Sequence, residues 1–225
     1  DRVKETDRII ENTVGIYNKV YDTTCSGVLL ADNLIVTAAH CLTPDHSNIR
    51  IFFGANVSGA PVRRVVDGIR HPDYRDDARG AHQHDIAVIK FRGSIPEGFK
   101  PAKFLENMDV LENMSPTAIA GYGTVDALRD RGLRVLRKTV LPIRDIRYSP
   151  SEISLIQSPD TGACAGDSGG PSYVYVGEQP YIWGIAQKVY SYGSNECMFG
   201  SAYTRIDYYR DWIEKTARTL RGTAP

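Results

Sequence analysis

The sequence has no excess of charge of either sign, because 27 Lys and Arg residues balance 27 Asp and Glu residues. Domains that bind nucleic acid normally carry a basic excess, so the balance argues against a nucleic-acid partner. No apolar run approaches the length of about 20 residues that crosses a bilayer, and we expect no membrane association. The polar residues 1–5 do not form a signal peptide, so an exported protein would have lost its signal before this numbering begins.

Cysteine is scarce, since the chain contains only Cys25, Cys41, Cys164 and Cys197. This even number permits two disulfides, and several pairings are open. Four reduced core thiols are one alternative, and a zinc site is another, although the Cys-x-x-Cys pair common in zinc sites is absent. We favour disulfides and therefore an oxidising compartment, with the protein secreted to the periplasm or the extracellular space.

The 225 residues suffice for one large all-β domain or two small lobes. Short β-type runs recur between turn residues, and this recurrence predicts a barrel or a sandwich. The runs span residues 26–30, 34–37, 49–53, 86–89, 118–120, 134–136, 172–176 and 181–183. Apolar residues at helical spacing predict one helix at 207–220, with Gly222 as its stop. We expect this helix to close the end of a barrel.

Three local stretches carry the residue types that acyl transfer needs: TAAHC at 37–41, HDIAV at 84–88 and CAGDSGGP at 164–171. Taken singly, each is more often structural than catalytic. Together they supply a serine hydroxyl, which is a poor nucleophile until a base takes its proton, and a histidine that accepts this proton near neutral pH. They also supply a carboxylate to fix the histidine tautomer, and glycines that let backbone amides approach a developing oxyanion.

These three stretches, in this order and at these spacings, resemble the motifs of the chymotrypsin/trypsin family of serine proteases. HPDY at 71–74, GYGT at 121–124 and AYTRI at 202–206 add to the resemblance, which covers about residues 25–213. The resemblance implies a serine-type endopeptidase that cuts protein or peptide substrates through an acyl-enzyme. It implies no metal ion and no cofactor.

The resemblance also implies a role for each residue of the site. His40 is the general base, Asp85 orients it, and Ser168 is the nucleophile. The backbone amides of Gly166 and Ser168 form the oxyanion hole.

The fold implied by the resemblance is all-β: two six-stranded antiparallel β-barrels with a C-terminal α-helix and an active site in the cleft between the barrels. Residues 9–225 would be the peptidase domain, with a first lobe at about 9–108, a second lobe at about 109–206 and the helix at 207–220. We expect a monomer. The implied disulfides join Cys25 to Cys41 and Cys164 to Cys197.

Three rival interpretations remain beside this one. Residues 166–170 match the G-x-S-x-G elbow of α/β-hydrolases, but that fold orders its triad Ser, acid, His, whereas the order here is His, Asp, Ser. A non-catalytic binding homologue of the same fold is a rival from another class. Such proteins usually lose a triad residue, and this chain keeps all three. The third alternative is a latent precursor with an inactive site.

The specificity pocket is expected to be uncharged. In the family, the residue six positions before the nucleophile lies at the base of the pocket, and here it is Gly162, which has no carboxylate to pair with Lys or Arg. Two alignments of the pocket wall are open, since residues 182–184 and the segment from Trp183 onward both resemble the family's wall strand. The second alignment places Gln187 and Val189 along the wall. Val189 would narrow the slot and favour cleavage after a small to medium apolar residue; in the alternative it is an ordinary strand residue.

The motif RIIEN, which begins at Arg8, resembles an activation junction. A cut after Arg8 would free the ammonium of Ile9 to pair with Asp167, and residues 1–8 would be a propeptide. A buried ammonium–carboxylate pair is tolerable because each charge compensates the other. Only 16 positions separate Ile9 from Cys25, fewer than in the family, so an enzyme that needs no cut is the alternative. Because the pocket is uncharged, we expect the enzyme not to activate itself.

Overall fold

The computed structural model describes residues 1–4, 7–75, 84–125, 132–158, 160–192 and 195–222. Its strands are β1 (Thr13–Asn18), β2 (Thr23–Ala31), β3 (Leu34–Thr37), β4 (Ile49–Phe52), β5 (Val62–Arg70), β6 (Ala87–Phe91), β7 (Pro116–Gly121), β8 (Arg137–Ser149), β9 (Glu152–Leu155), β10 (Pro171–Val176), β11 (Gln179–Tyr192) and β12 (Asn195–Arg205). The helix α1 spans Arg210–Arg221, and short 3-10 turns lie at Arg8–Glu11, Ala39–Cys41, His46–Asn48 and Met108–Val110.

The strands form two closed antiparallel barrels. The first has the order β1-β2-β3-β6-β5-β4, and the second has the order β10-β11-β12-β9-β8-β7. Closing each sheet on itself removes the unpaired edges that would otherwise be open to other strands. The predicted fold class of two six-stranded antiparallel barrels with a C-terminal helix is therefore confirmed.

Each barrel is filled by apolar side chains that point inward from its strands. The first barrel encloses Ile35, Ile51 and Phe91, and the second encloses Ile143 and Leu155. A third apolar cluster joins the two barrels and the terminal helix. Burying one such side chain contributes roughly 1.5–3 kcal/mol, so the cores dominate the stability of both lobes.

The strands β1, β5, β9 and β12 were not among the runs predicted from the sequence, and one predicted run was misplaced. Residues 134–136 were expected to form a strand, but β8 begins at Arg137, and Val135 makes only an isolated bridge with Asn56. The strand β5 has the sequence VRRVVDGIR, in which charged residues interrupt the apolar ones. Only Val65 of its nine residues is buried, so the strand leaves no apolar run to recognise.

The helix α1 begins at Arg210, three residues later than expected, because residues 206–209 form a turn in which the Tyr209 amide donates to the Ile206 carbonyl. Its buried residues Ile213, Thr216, Ala217 and Leu220 recur at helical spacing. Lys90 of the first barrel donates to the Leu220 carbonyl at 2.7 Å, which ties the helix end to that barrel. Among the described residues, no helix has the length and apolar character to cross a bilayer.

Tyr122 connects the two barrels. Its ring meets that of Phe52 edge-on, with centroids 4.9 Å apart. Its hydroxyl lies within hydrogen-bond distance of two first-barrel carbonyls, that of Gly54 at 2.8 Å and that of Thr13 at 3.2 Å. The phenol is fully buried, and burial raises its pKa well above the usual value, so it stays a neutral donor.

We predict that Tyr122→Phe lowers the free energy of unfolding by about 1–3 kcal/mol, because buried carbonyls lose their donor while the ring remains. Urea unfolding followed by tryptophan fluorescence measures this change. Tyr21→Phe is the matched control, since Tyr21 is 65% exposed and the change there should stay within about 0.5 kcal/mol. Equal stability of Tyr122→Phe and the wild type would show that this contact contributes nothing.

Candidate active site

His40 and Asp85 are joined by two hydrogen bonds. The His40 Nδ1 atom lies 2.7 Å from Asp85 Oδ2, and the backbone amide of His40 donates to Oδ1 at 2.9 Å. The Asp85 side chain is 4% exposed, whereas the His40 side chain is 33% exposed. The carboxylate therefore fixes both the ring and the backbone of His40 from a buried position, and the outer part of the ring stays accessible.

The local backbone explains why Asp85 faces His40. His40 lies in the 3-10 turn after β3, and Asp85 lies directly before β6, the neighbour of β3 in the barrel. His84 has φ of +48°, a conformation that few non-glycine residues adopt, and its carbonyl accepts from the Ile86 amide at 2.8 Å. Thr204 of the second barrel donates to the Asp85 carbonyl at 3.4 Å, so both barrels hold this residue.

Ser168 lies in a tight turn between two glycines with positive φ, Gly166 at +97° and Gly169 at +80°. A Cβ atom on Gly169 would lie 2.1 Å from Thr37 Oγ1, so only glycine permits this approach to the first barrel. Thr37 ends β3, and His40 follows three residues later. The close packing at Gly169 thus brings the serine turn to the part of the first barrel that carries His40.

Ser26 also holds this turn, and the sequence reasoning missed it. Its amide donates to the Ser168 carbonyl at 2.7 Å, and its hydroxyl donates to the Gly166 carbonyl at 2.9 Å. The hydroxyl also accepts from the Tyr122 amide at 3.0 Å. The partners of Ser26 lie far along the chain, so the only local indication of its role is its position directly after Cys25.

Both disulfides flank the site. Cys25 is bonded to Cys41, next to His40, and Cys164 is bonded to Cys197 of β12. These are the pairs that the family resemblance implies. The sulfur atoms of Cys25 and Cys41 lie within 4.8 Å of a ring nitrogen of His40. Both sulfurs are committed to the disulfide, so neither is a thiolate that could bind a metal ion.

A small pocket opens beside Ser168. Its lining comprises Ala163, Cys164, Asp167, Ser168, Ala186, Gln187, Lys188, Val189 and Ser201. Of the predicted pocket residues, Gln187 and Val189 belong to this lining, and Gly162 does not. Gly162 instead packs on Gln157, because a Cβ atom there would lie 2.4 Å from Gln157 Nε2. Sequence reasoning missed Ser201, which pairs with Val189 across β11 and β12.

A buried carboxylate supports the pocket wall from behind. Gln187 donates through Nε2 to Glu152 Oε1 at 2.8 Å, and both residues are almost fully buried. Ser149 donates to the other carboxylate oxygen of Glu152 at 3.2 Å. This pairing fixes the orientation of the Gln187 amide at the start of the wall.

Asp167 precedes the serine and accepts two backbone hydrogen bonds, from Gly123 at 2.8 Å and from Cys164 at 2.9 Å. The residue as a whole is partly exposed, but its carboxyl group is enclosed, since a Cβ on Gly121 would lie 2.2 Å from Oδ1. Burial raises the pKa of this carboxyl to about 6, although the two amides and the positive charge of Arg137 oppose the rise.

Residues of the predicted activation junction are held in place by local contacts. The amide of Ile9 donates to Asp7 at 3.2 Å, and the Ile9 side chain is fully buried. Asp7 forms an ion pair with Lys138 of β8. Asp167 accepts from backbone amides, and the Ile9 amide donates to Asp7, so the structure does not pair these two residues.

Comparison with known proteins places these features in a family. The family model described as Trypsin matches residues 6–213. Duodenase-1 of Bos taurus is 28% identical over 88% of this chain and 79% of its own length, and kallikrein-8 of Mus musculus is 29% identical over 85% and 76%. Neuropsin, a serine protease of mouse brain, superposes with a TM-score of 0.74 at 22% identity, covering 96% of each chain. The chain therefore belongs to the trypsin family of serine proteases.

Proposed function

We propose that the chain hydrolyses peptide bonds with Ser168 as nucleophile, His40 as general base and Asp85 as the residue that orients the base. The observation that carries this proposal is the contact of 2.7 Å between His40 Nδ1 and the buried Asp85 carboxylate. A carboxylate at Nδ1 leaves the other ring nitrogen, Nε2, to accept a proton from a hydroxyl. Membership of the trypsin family supports serine endopeptidase activity on protein or peptide substrates.

The proposed reaction has two stages. In the first, Ser168 Oγ attacks the scissile carbonyl while His40 takes its proton, and His40 then gives this proton to the leaving amine. In the second, water attacks the acyl-enzyme and His40 again acts as base and then acid. The amides of Gly166 and Ser168 stabilise the oxyanion in both stages, and such donors supply a large share of the rate enhancement.

The rival interpretations are less well supported. A non-catalytic homologue has no need for a buried carboxylate beside His40, since burying a charge is costly unless its hydrogen bonds compensate it. In favour of a latent precursor stands one observation, that Asp167 accepts from backbone amides and is not paired with Ile9.

For specificity, we propose cleavage after a small to medium apolar residue. Ala163 and Val189 line the pocket, and we expect the valine side chain to limit its width. Asp167 also lies in the lining, but its carboxyl group is enclosed against Gly121 and Gly123 and accepts the amides of Gly123 and Cys164. The described lining therefore offers no available carboxylate to bind the Lys or Arg side chain that a trypsin-like specificity requires.

Location, assembly and activation are proposed from the disulfides and the sequence. The two disulfides favour an oxidising compartment and hence secretion to the periplasm or the extracellular space. A monomer without nucleic-acid or membrane partners stays a prediction from the sequence. Activation by a cut after Arg8, with the ammonium of Ile9 moving to Asp167, also stays a prediction, as does the domain division with residues 1–8 as a propeptide.

We predict that Ser168→Ala abolishes covalent labelling by a fluorophosphonate and lowers turnover of a peptide substrate by about 10⁶-fold, since the nucleophile is lost. Intact mass spectrometry measures the labelling, and peptide mapping locates it. Ser172→Ala, which removes another buried hydroxyl of the second barrel, should label as the wild type does. Labelling that persists in Ser168→Ala at a different serine would refute the assignment.

We predict that the amide resonances of Gly123 and Cys164 titrate together with a midpoint near pH 6, the pKa to which burial raises Asp167. Because this pKa lies above that of the unfolded chain, protonated Asp167 favours folding, and this contribution is lost as the pH rises through about 6. NMR spectra of the inactive Ser168→Ala protein measure the midpoint without self-digestion. A midpoint near pH 4, typical of an ordinary Asp, would contradict the enclosure of this carboxyl.

We predict that Val189→Gly raises kcat/KM for peptides with Phe before the cut, relative to those with Ala, by roughly 10–200-fold. The reason is that removal of the valine side chain widens the slot. A series of peptide anilides with Ala, Val, Leu, Phe or Lys before the cut measures the ratio. Val176→Gly on the exposed end of β10 is the matched control. An unchanged ratio, or a wild-type preference for Lys, would refute the proposed pocket.

A further inference from the structure

Ser26 lies at the junction of the two barrels, and its side chain is fully buried. It belongs to β2 of the first barrel, yet its partners Gly166, Ser168 and Tyr122 belong to the second-barrel half of the chain. The segment Gly166–Ser168, here called the oxyanion turn, therefore receives hydrogen bonds from a residue outside its own barrel.

The hydroxyl of Ser26 has one hydrogen to donate and lone pairs to accept. The amide of Tyr122 can only donate, so Ser26 Oγ accepts at that contact of 3.0 Å. The single hydroxyl hydrogen is then directed to the Gly166 carbonyl, 2.9 Å away. Both roles of the hydroxyl are used, and its orientation is determined by its two partners.

These contacts restrict the peptide planes of the oxyanion turn. The Ser26 hydroxyl holds the carbonyl of Gly166, and the Ser26 amide holds the carbonyl of Ser168 at 2.7 Å. Gly166 has φ of +97°, a conformation in which glycine has wide freedom to rotate. Because the carbonyl of Gly166 is held by Ser26, rotation about the backbone bonds of Gly166 is limited, and the Gly166 amide keeps one direction. An oxyanion hole works only if its donors are aimed before the charge develops.

We propose that Ser26 is a positioning residue for the oxyanion hole, acting through the hydrogen bond from its hydroxyl to the Gly166 carbonyl. The proposal rests on the proposed function of Ser168. Because Ser26 is fully buried, we expect it to set the aim of the Gly166 amide without contributing to substrate binding. Its loss should therefore weaken transition-state binding more than substrate binding.

The test compares Ser26→Ala with the wild type in three assays. The first gives kcat and KM on a peptide anilide. The second gives the inhibition constant Ki of a peptidyl trifluoromethyl ketone, whose adduct with the serine carries an oxyanion. The third gives the inhibition constant of the matching peptide acid, which carries none. We expect kcat to fall and the ketone Ki to rise by about tenfold each, less than the roughly 10²–10³-fold effect of deleting a donor outright. KM and the inhibition constant of the peptide acid should change less than about twofold, because the contacts that bind the ground state are retained.

Two further variants keep the outcome decisive. Ser172→Ala is the matched control, because Ser172 is also fully buried and its hydroxyl contacts Thr117 at 2.8 Å. We expect Ser172→Ala to leave kcat and the ketone Ki at wild-type values. Ser26→Gly removes the hydroxyl but leaves room for a water to bridge the Gly166 carbonyl and the Tyr122 amide, so its loss of kcat should be smaller. If Ser26→Ala does not fold, the proposal is supported when kcat falls and the ketone Ki rises by the same factor in Ser26→Gly.

Values of kcat and ketone Ki within about twofold of the wild type in Ser26→Ala, or in Ser26→Gly if Ser26→Ala does not fold, would overturn the proposal, as would an equal loss in Ser172→Ala. Failure of the proposed function is a different result. It would appear as a wild-type protein that neither hydrolyses the anilide nor labels at Ser168, whatever residue occupies position 26.

Discussion

The packing of the oxyanion turn against the first barrel is the contact on which the site depends. Gly169 approaches Thr37 so closely that no side chain fits, and Ser26 holds the turn through its amide and its hydroxyl. His40 and Asp85 come from the first barrel, and Ser168 comes from the second-barrel half. Without this contact the apolar cluster between the barrels would remain, but the turn that carries Ser168 would not be held against the strand end that precedes His40.

Asp167 shows how this arrangement affects stability. Its carboxyl is enclosed, and burial raises its pKa to about 6, so the ionised form is disfavoured relative to an exposed aspartate. The ionised form is also the better acceptor for the amides of Gly123 and Cys164, which hold the segment before Ser168. Folding therefore favours protonation, whereas an ordered oxyanion turn favours ionisation. We expect the enzyme to trade some stability for an ordered site above about pH 6.

Much of the fold and the site could be predicted from the sequence, and the remainder depends on distant contacts. Apolar runs such as Leu34–Thr37 could be predicted as strands, and in the structure every residue of this run is buried. The strand β5 was missed, because most of its side chains face solvent and leave no apolar run. Gly162 was placed in the pocket by its distance from Ser168, yet the lining starts at Ala163, because Gly162 packs on Gln157. The contacts of Ser26 could not be predicted, because its hydroxyl partner Gly166 lies 140 positions away in the sequence.

A crystal structure of the enzyme with a peptidyl trifluoromethyl ketone tests the central claim most directly. The account predicts a covalent bond from Ser168 Oγ to the ketone carbon, with the adduct oxygen about 2.7–3.1 Å from the amides of Gly166 and Ser168. It also predicts that Ser26 Oγ still contacts the Gly166 carbonyl and that His40 still contacts Asp85. An adduct on another residue, or an adduct oxygen turned away from the Gly166 amide, would contradict the account.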